Sequence, residues 1–241
     1  MDQNQLAKLG EILRGSSNIV FFGGAGVSTE SGIPDFRSED GLYRQKYPYP
    51  PETMLSHHFY RTHKEEFFDF YREKVLALWA EPNAAHHKLA QLEKTGKLRA
   101  VITQNIDGLH QKAGSEEVIE LHGSVLRNYC EVCKKAYDAE HIQKAKGIPK
   151  CTCGGDVKPD VVLYEESLRE EDLQRAARYV SAAETLLIGG TSLAVYPAAG
   201  LVDLFSGKHL ILINKGETSR SPGASLTINA PIGQVMESLE V

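Results

Sequence analysis

Short apolar runs alternate along this chain with longer segments in which apolar residues recur every three or four positions. Leu6, Leu9 and Leu13 recur at helical spacing and predict an amphipathic helix over residues 2–14. A run of four apolar residues, 19–22, follows this helix and ends at a glycine. Such a run is typical of a strand that is buried on both faces of a parallel sheet.

The same alternation continues to the end of the chain. Strands separated by helices favour parallel pairing, because the chain must cross back over the sheet between them. The pattern therefore predicts an α/β fold with a doubly wound parallel sheet. Further extended runs are predicted at 98–103, 118–121, 160–164, 185–189 and 209–213, and further helices at 63–80, 83–94, 170–183, 197–207 and from 231 onwards.

Glycines follow the first predicted strand. Those in the run 23–26 let the backbone turn sharply and approach a ligand closely. Ser28 or Thr29 is predicted to cap a short helix with Glu30 in its first turn, and free N–H groups at a helix start attract a pyrophosphate. Glycine-rich turns after strands also occur for packing alone, so this segment by itself leaves a structural role open.

Polar side chains follow the other predicted strands. Gln104, Asn105 and Asp107 come directly after the strand at 98–103, and His122 follows the strand at 118–121. The carboxyl ends of parallel strands share the edge at which open α/β sheets bind ligands. A lone histidine after a strand is usually structural, but His122 shares its predicted edge with these residues. Later strands end in further small or polar residues: Gly190, Thr191, Ser192 and Asn214.

Size and charge narrow the possible functions. With 241 residues and 26.6 kDa, the chain fits one large domain or one domain that carries a smaller inserted one. A net charge of −5 and a pI near 6.0 argue against broad binding of nucleic acid or anionic membranes. The N-terminal residues lack the apolar segment of a signal peptide, and no run approaches the roughly 18 apolar residues of a membrane span. A cytoplasmic location is expected.

The four cysteines lie close together in the sequence. Cys130 and Cys133 form one pair, and Cys151 and Cys153 form a second pair after seventeen intervening residues. In a reducing compartment, this spacing indicates a metal site and not two disulfides. Four thiolates suit tetrahedral zinc and leave no position for water or substrate, so the predicted zinc is structural.

Several motifs in order resemble the sirtuins, a family of NAD-dependent protein deacylases, along nearly the whole chain. They are G-A-G-V-S-T-E-S-G-I-P-D-F-R, T-Q-N-I-D-G-L-H, L-H-G-S, the cysteine pairs and G-T-S-L-A-V-Y-P. The resemblance implies a bacterial or archaeal type of deacetylase, in which acetyl-lysine and NAD give lysine, nicotinamide and O-acetyl-ADP-ribose. It implies NAD and zinc as cofactors and an acetylated protein as partner. A monomer with no membrane or specific nucleic-acid partner is expected.

The resemblance also implies a division into two domains. Residues 1–40, 80–125 and 159–241 would form a Rossmann-like NAD-binding domain. A helical insertion at 41–79 and a zinc module at 126–158 would form the smaller domain, with the active cleft between the two.

The roles of individual residues follow from the same resemblance. His122 would take a proton from a ribose hydroxyl, and its ordinary pKa near 6.5 suits a base at neutral pH. Asn105 would join it in catalysis. The implied NAD-binding residues are Ala25, Gly26, Thr29, Phe36, Arg37, Gln104, Asn105, Ile106, Asp107, His122, Gly190, Thr191, Ser192, Asn214 and Ile232. The substrate peptide would lie as an added strand between two edges, which are Val161, Val162, Leu163 and Tyr164 on one side and Val195 and Tyr196 on the other.

Three features depart from the usual sirtuin pattern. Gly23 stands where threonine is commoner, and the second cysteine pair has one intervening residue in place of two. Tyr164-Glu165-Glu166 stands where many members have Phe-Gly-Glu. No reacting group is lost, but the zinc geometry and the peptide preference are less closely defined than the reaction.

A fourth comparison concerns the acyl group. Sirtuins that prefer succinyl- or malonyl-lysine resemble one another in a Tyr-x-x-Arg pair that clasps the distal carboxylate. An approximate alignment places Phe68 and Tyr71 at those two positions, with Arg72 next to them. An acyl carboxylate would enter an apolar pocket unpaired, at a penalty of several kcal/mol. We therefore expect specificity for uncharged acyl groups.

Three other classes of protein share part of this pattern. A dehydrogenase would also have a glycine turn, but the spacing is not G-x-G-x-x-G and no acidic residue ends a second strand about twenty residues on. A zinc-ribbon binding module would explain the cysteines and the lysines near them, but it would leave His122, Asn105 and Asp107 without a role. A mono-ADP-ribosyl transferase is the nearest alternative enzyme, since it also consumes NAD.

Overall fold

The computed structural model describes residues 2–35, 41, 47–216 and 223–239. Its centre is a six-stranded sheet in which every neighbouring pair of strands is parallel. The strands are β1 (Ile19–Gly23), β2 (Leu98–Thr103), β3 (Val118–Glu120), β7 (Thr185–Gly189), β8 (His209–Ile213) and β9 (Leu226–Ile228). A second sheet is antiparallel and contains β4 (Gly123–Cys130), β5 (Ala136–Tyr137) and β6 (Val157–Val161).

The order of the large sheet is β3-β2-β1-β7-β8-β9. The chain builds outward from β1 through β2 to β3, and then continues on the other side of β1 with β7. Strand order therefore reverses between β1 and β7, and ligands of doubly wound sheets bind in the crevice at such a point. The parallel sheet and the separate antiparallel sheet confirm the predicted fold class.

Helices cover both faces of the large sheet. Side chains alternate along β1, so Phe21 packs with α1 (Gln3–Gly15), α5 (Ala84–Lys94) and α9 (Ile232–Glu237). Val20 and Phe22 point to the opposite face, where α8 (Glu170–Ala182) and a 3₁₀ segment, Ala198–Leu204, cover them. All five residues of β1 are buried. This two-sided burial explains why the central strands are continuously apolar.

A third cluster of buried side chains joins short helices to the antiparallel sheet. The helices are α2 (Pro51–Met54), α3 (His57–Thr62), α4 (Lys64–Phe70) and α7 (Ala139–Lys144). Phe67, Phe68 and Tyr71 pack in this cluster with Cys130, Ile142 and Val157. The remaining helix, α6 (Leu109–Lys112), follows β2 in the large sheet.

The structure corrects several predicted boundaries. The helix expected over 63–80 ends at Phe70 and continues only as a wide π-helical turn, Tyr71–Val75, closed by the bond from the Leu76 N–H to the Tyr71 carbonyl (2.9 Å). This wider turn lets Tyr71 and Leu76, five residues apart, both be buried. The run expected at 160–164 becomes strand only as far as Val161, because pairing with β4 sets its limits. β9 was not predicted, since three residues carry little periodicity.

Within the described part of the chain, no helix is long and apolar enough to cross a membrane.

Candidate active site

The glycine turn after β1 packs directly against the turn after β7. The Gly26 N–H donates to the Gly190 carbonyl (2.7 Å), and the Gly24 N–H donates to the Gly189 carbonyl (3.3 Å). A Cβ on Gly26 would lie 2.8 Å from the Cα of Gly190, and Gly190 itself has φ +59°. Glycine is needed at both positions because two backbones meet there. The contact lies where strand order reverses.

Several backbone N–H groups of the predicted phosphate-binding turn already form hydrogen bonds within the protein. The N–H groups of Gly24, Gly26, Val27 and Ser28 all donate to carbonyl groups of the protein. Residues 25–27 and 29–31 form two short 3₁₀ turns and not a capped α-helix. The turn therefore offers fewer free N–H groups to an anion than its sequence predicts.

Ser28 links the turn after β1 to the turn after β2. Its hydroxyl donates to Asp107 Oδ2 (2.6 Å) and accepts from Asn105 Nδ2 (3.0 Å). The predicted helix cap at Ser28 or Thr29 is wrong, because the Ser28 hydroxyl is engaged by Asp107 and the Thr29 hydroxyl donates to the Gly26 carbonyl (3.0 Å). Ser28 is buried. This contact could not be predicted from the sequence, since the partners of Ser28 lie 77 and 79 positions away.

Asp107 accepts hydrogen bonds on both carboxylate oxygens. Besides the Ser28 hydroxyl on Oδ2, the Leu109 N–H donates to Oδ1 (2.9 Å) and so starts α6. Burial raises the pKa of Asp107 above its ordinary value, and the two hydrogen bonds act in the opposite direction. The side chain is therefore an oriented acceptor in a largely dry environment.

His122 lies directly after β3 and is held by the turn after β2. Its Nδ1 lies 2.9 Å from the Gln104 carbonyl oxygen. A carbonyl can only accept, so Nδ1 carries the hydrogen and Nε2 keeps its lone pair. Burial lowers the pKa of His122, although the bond to Gln104 partly offsets this effect. The imidazole is neutral at pH 7 and is equipped to accept a proton at Nε2.

Other predicted NAD-binding residues lie near the carboxyl ends of the strands of the large sheet. The Gln104 amide donates to the Thr191 hydroxyl (3.2 Å), which joins the turns after β2 and β7. The Ile106 carbonyl accepts from the Val125 N–H (2.9 Å). Ile232 is buried at the start of α9, and its Cδ1 would lie 2.2 Å from a Cβ on Gly189. Asn214 follows β8 and bonds within its own loop, to the Gly216 carbonyl (2.9 Å). Phe36 and Arg37 lie outside the described residues.

Glu30 fixes the glycine turn to the last helix. Its carboxylate accepts from the N–H groups of Gly233 (2.5 Å) and Gln234 (3.2 Å) at the start of α9. Pro231 precedes this helix and offers no side-chain cap, so Glu30 satisfies two of its free N–H groups. The sequence placed Glu30 in the first turn of its own helix, and only the fold reveals the distant one.

The first predicted peptide edge already uses its N–H groups. Those of Val162, Leu163 and Tyr164 donate to the His122 carbonyl (2.9 Å), Glu166 Oε2 (2.9 Å) and the Leu55 carbonyl (3.0 Å). Three carbonyl groups of this edge also accept within the protein: Val161 from Lys158 Nζ (3.1 Å), Leu163 from the Glu166 N–H (3.0 Å) and Tyr164 from the His57 N–H (2.9 Å). On the second edge, Val195 is half-buried and Tyr196 is 61% exposed.

Glu165 adopts a conformation that favours glycine. Its φ is +74°, and its carboxylate accepts from the His58 N–H (2.9 Å) in the first turn of α3. This backbone accounts for the glycine that many sirtuins have here.

The four cysteines form a single cluster. Their sulfur atoms all lie within 4.8 Å of one another, and two of the sulfur pairs are 3.5 Å apart. Tetrahedral zinc, with Zn–S bonds of about 2.3 Å, needs sulfurs about 3.8 Å apart. N–H groups of Cys133 and Cys153 point at the sulfurs of Cys130 and Cys151 and lower the pKa of both thiols, which favours thiolate. Despite a hydrogen bond from the Gly155 N–H, the neighbouring thiols raise the pKa of Cys153. The donor set fits zinc.

Comparison with known proteins agrees with this geometry. Residues 24–197 match the model of the Sir2 family. The chain belongs to the Sir2 family. A protein of Clostridium acetobutylicum named NAD-dependent protein deacetylase is 57% identical over 240 residues, with 98% of each chain covered.

Solved structures of Sir2 proteins share the fold of this family member. One contains a deacetylated p53 peptide and 3'-O-acetyl-ADP-ribose, and it superposes with a TM-score of 0.89 at 38% identity over 96% of both chains. Another contains a p53 peptide and NAD, with a TM-score of 0.86 at 39% identity over 96% of this chain and 95% of the other.

Proposed function

We propose that this protein is an NAD-dependent protein-lysine deacetylase. It converts acetyl-lysine, NAD and water into lysine, nicotinamide and O-acetyl-ADP-ribose. Membership of the Sir2 family and deacetylase relatives that span almost the whole chain support this proposal. The observation that carries it is the turn after β2 at the carboxyl edge of the large sheet, which holds both an imidazole whose Nε2 keeps its lone pair and the Ser28–Asp107 pair.

The general base is His122. In the proposed reaction the acetyl oxygen attacks the anomeric carbon of the ribose as nicotinamide leaves. His122 Nε2 then takes the proton from a ribose hydroxyl, so that this oxygen can attack the acetyl carbon. Addition of water to that carbon breaks its bond to the lysine nitrogen, which leaves as the protonated amine, and the acetyl group stays on the ribose as an ester. The Gln104 carbonyl holds the hydrogen on Nδ1 and so keeps Nε2 as the acceptor.

Asn105 and Asp107 bind the nicotinamide half of NAD. A carboxamide needs both a donor and an acceptor, and Asp107 together with the backbone of Ile106 provides them. The Asn105 amide donates to the Ser28 hydroxyl, and this bond fixes the orientation of the amide. Ala25, Gly26 and Thr29 lie at the phosphate region, and Thr191, Ser192, Asn214 and Ile232 lie at the adenosine half. We assign Phe36 and Arg37 to the same cofactor on sequence alone.

The zinc is structural. Cys130, Cys133, Cys151 and Cys153 hold it, and all four positions of a tetrahedral ion are then filled by sulfur. The zinc module at 126–158 and the helical insertion at 41–79 form the small domain, and the acetylated peptide lies between Val161–Tyr164 and Val195–Tyr196. We place the enzyme in the cytoplasm as a monomer.

The acyl group is uncharged. Phe68 is fully buried in the apolar cluster, and burial raises the pKa of Tyr71, which keeps this phenol neutral. Arg72, the nearest cation in the alignment, donates to the Gly147 carbonyl (2.9 Å) and to Asp69 (2.7 Å). These bonds hold its guanidinium away from a partner in the substrate.

Mass spectrometry of an acetyl-lysine peptide, incubated with and without NAD, tests the reaction. We expect loss of the acetyl group and formation of O-acetyl-ADP-ribose only when NAD is present. Transfer of label from NAD onto protein would instead identify an ADP-ribosyl transferase. Matched peptides with acetyl-, butyryl- and succinyl-lysine test the acyl preference, and a higher kcat/KM for succinyl would overturn it.

A further inference from the structure

Asn83 lies beneath the glycine turn, at the start of α5. Its Nδ2 donates to the Val27 carbonyl (2.8 Å) and to the Ser31 hydroxyl (2.9 Å). Its Oδ1 accepts from the Ala85 N–H (3.0 Å) and so caps α5. One amide therefore has two separate roles: its oxygen caps a helix, and its nitrogen holds the turn that carries Ser28.

The same end of α5 reaches the turn after β2. His86 Nδ1 accepts from the Asn83 N–H (3.2 Å), and the His86 ring lies 4.7 Å from the ring of His110. Both rings are buried. His110 belongs to α6, the helix that Asp107 starts through its bond to the Leu109 N–H. Asn83 and His86 thus connect the Ser28 turn to the Asp107 turn from below.

These two turns meet again in the site itself, through the bond of 2.6 Å from the Ser28 hydroxyl to Asp107. Val27 directly precedes Ser28, so a shift of the Val27 carbonyl would move that hydroxyl. A short hydrogen bond tolerates little displacement of this kind. The spacing of Ser28 and Asp107 therefore depends on what holds Val27.

We infer that Asn83 is a positioning residue for the nicotinamide end of the NAD site. It fixes the Ser28 turn relative to Asp107 and Asn105 through its Nδ2 bonds, without contact with NAD. The inference rests on the proposed function, because that proposal assigns Asp107 and Asn105 to nicotinamide. Errors of about 1 Å in such positioning can cost on the order of 100-fold.

The variant Asn83→Asp separates the two roles of this side chain. Aspartate caps a helix about as well as asparagine, so α5 keeps its cap. However, the carboxylate has no hydrogen to donate and would face the Val27 carbonyl oxygen. A matched control is Asp138→Asn, the reverse exchange at another helix cap, where Asp138 Oδ1 accepts from the His141 N–H (2.9 Å) far from the glycine turn.

Binding of NAD and of nicotinamide is measured by calorimetry, together with the KM of each substrate and the Tm. For Asn83→Asp we expect both binding constants to weaken about tenfold and the KM for NAD to rise with them. The KM for peptide and all values for Asp138→Asn should stay near those of the wild type, whereas the Tm of Asn83→Asp should fall because Val27 and Ser31 lose their donor. Asn83→Ser, which keeps a cap but cannot reach Val27, should weaken NAD binding in the same direction.

Unchanged NAD and nicotinamide binding in Asn83→Asp would overturn the inference. An equal rise of both KM values would also overturn it, since that pattern indicates general loosening. If Asn83→Asp does not fold, the binding constants of Asn83→Ser for NAD and nicotinamide test the inference in its place. A wild-type protein that binds NAD but removes no acetyl group would contradict the proposed function. The binding constants of the Asn83 variants would still test whether Asn83 positions the NAD site.

Discussion

The edge of the parallel sheet and the cysteine segment are stabilised in different ways. At the sheet edge, the turns follow strands such as β1, in which every residue is buried, and hydrogen bonds link one turn to the next. The cysteine segment has a two-residue strand, β5, and Val132 between its first two cysteines is 71% exposed. Its support comes from four sulfurs, from a few side chains such as Ile142 and Val157 that reach the small apolar cluster, and from Lys64, which pairs with Glu131 (2.9 Å) and Asp156 (2.6 Å).

The two regions should therefore respond differently to the loss of one side chain. Apolar burial at the sheet edge involves many residues, so loss of one side chain there should impair chemistry more than folding. Binding energy for a structural metal is folding energy, so loss of one thiolate should unfold the segment around it. The following changes test this contrast, from the largest expected effect to the smallest.

Cys151→Ser should have the largest effect. We expect loss of zinc, unfolding of the antiparallel sheet and loss of activity, while the parallel sheet keeps its cooperative melting. Metal analysis, circular dichroism and the deacetylation assay measure the three quantities. If the variant keeps one equivalent of zinc per chain, the site does not require four thiolates.

His122→Ala should reduce deacetylation by ~10²–10⁴, the usual contribution of a general base. Its Tm should stay close to that of the wild type, because the side chain makes a single hydrogen bond within the described part of the chain, to Gln104. Steady-state kinetics with a thermal melt separates the two effects. Near-normal turnover in a folded variant would remove His122 from the base role.

Asp107→Asn should weaken inhibition by nicotinamide, and slow turnover, by roughly 10- to 100-fold. It replaces a carboxylate that accepts from Ser28 and Leu109 with an amide that has one acceptor, and hydrogen bonds to charged groups are worth about 1.5–3 kcal/mol. The nicotinamide inhibition constant is the direct measure. A value equal to that of the wild type would count against the carboxamide assignment.

The buried histidine pair predicts how stability changes with pH. Burial lowers the pKa of His86 to about 4 and that of His110 well below its ordinary value. Between pH 6.5 and about 4, the unfolded chain therefore binds more protons than the folded one, and stability falls as pH falls. His86 should cost about 2 kcal/mol at pH 5, and His110 acts in the same direction. Asp107, whose pKa is raised, acts in the opposite sense.

Urea unfolding at pH 7 and pH 5 measures this change. His110→Phe keeps a ring against Phe21 and His86 and removes one titrating group, so its stability should depend less on pH. If the free energy of unfolding falls equally between pH 7 and pH 5 in this variant and in the wild type, His110 does not contribute to the pH dependence.

Glu165→Gly should have the smallest effect, a change of less than about 1 kcal/mol in the free energy of unfolding. Glycine relieves the strain of a left-handed backbone but loses the carboxylate that accepts from the His58 N–H. Glu165→Ala keeps the strain and loses the same bond, so it should be the less stable variant. The opposite order in thermal melts would show that φ +74° costs little here.

Most of the large sheet could be predicted from the sequence, because its strands are short apolar runs with clear limits. β2, β7 and β8 begin and end where their apolar pattern does. The helix expected over 63–80 was too long, since its apolar pattern continues to Leu78, which packs against the same cluster, although the helical backbone ends at Val75. β5 and β9 were missed because two or three residues form a strand only through their partners.

By itself, the sequence determined the positions of five strands of the large sheet, the residues that follow them and the four cysteines, because all of these depend on local order and spacing. Only the tertiary structure decided how they are connected. Strand order brings the Ser28 hydroxyl to Asp107 and the Gln104 carbonyl to His122, which fixes the imidazole hydrogen on Nδ1. It also brings Glu30 to the start of a helix more than two hundred residues away. Hydrogen bonds depend on distances in space, and local spacing carries no information about residues so far apart in the chain.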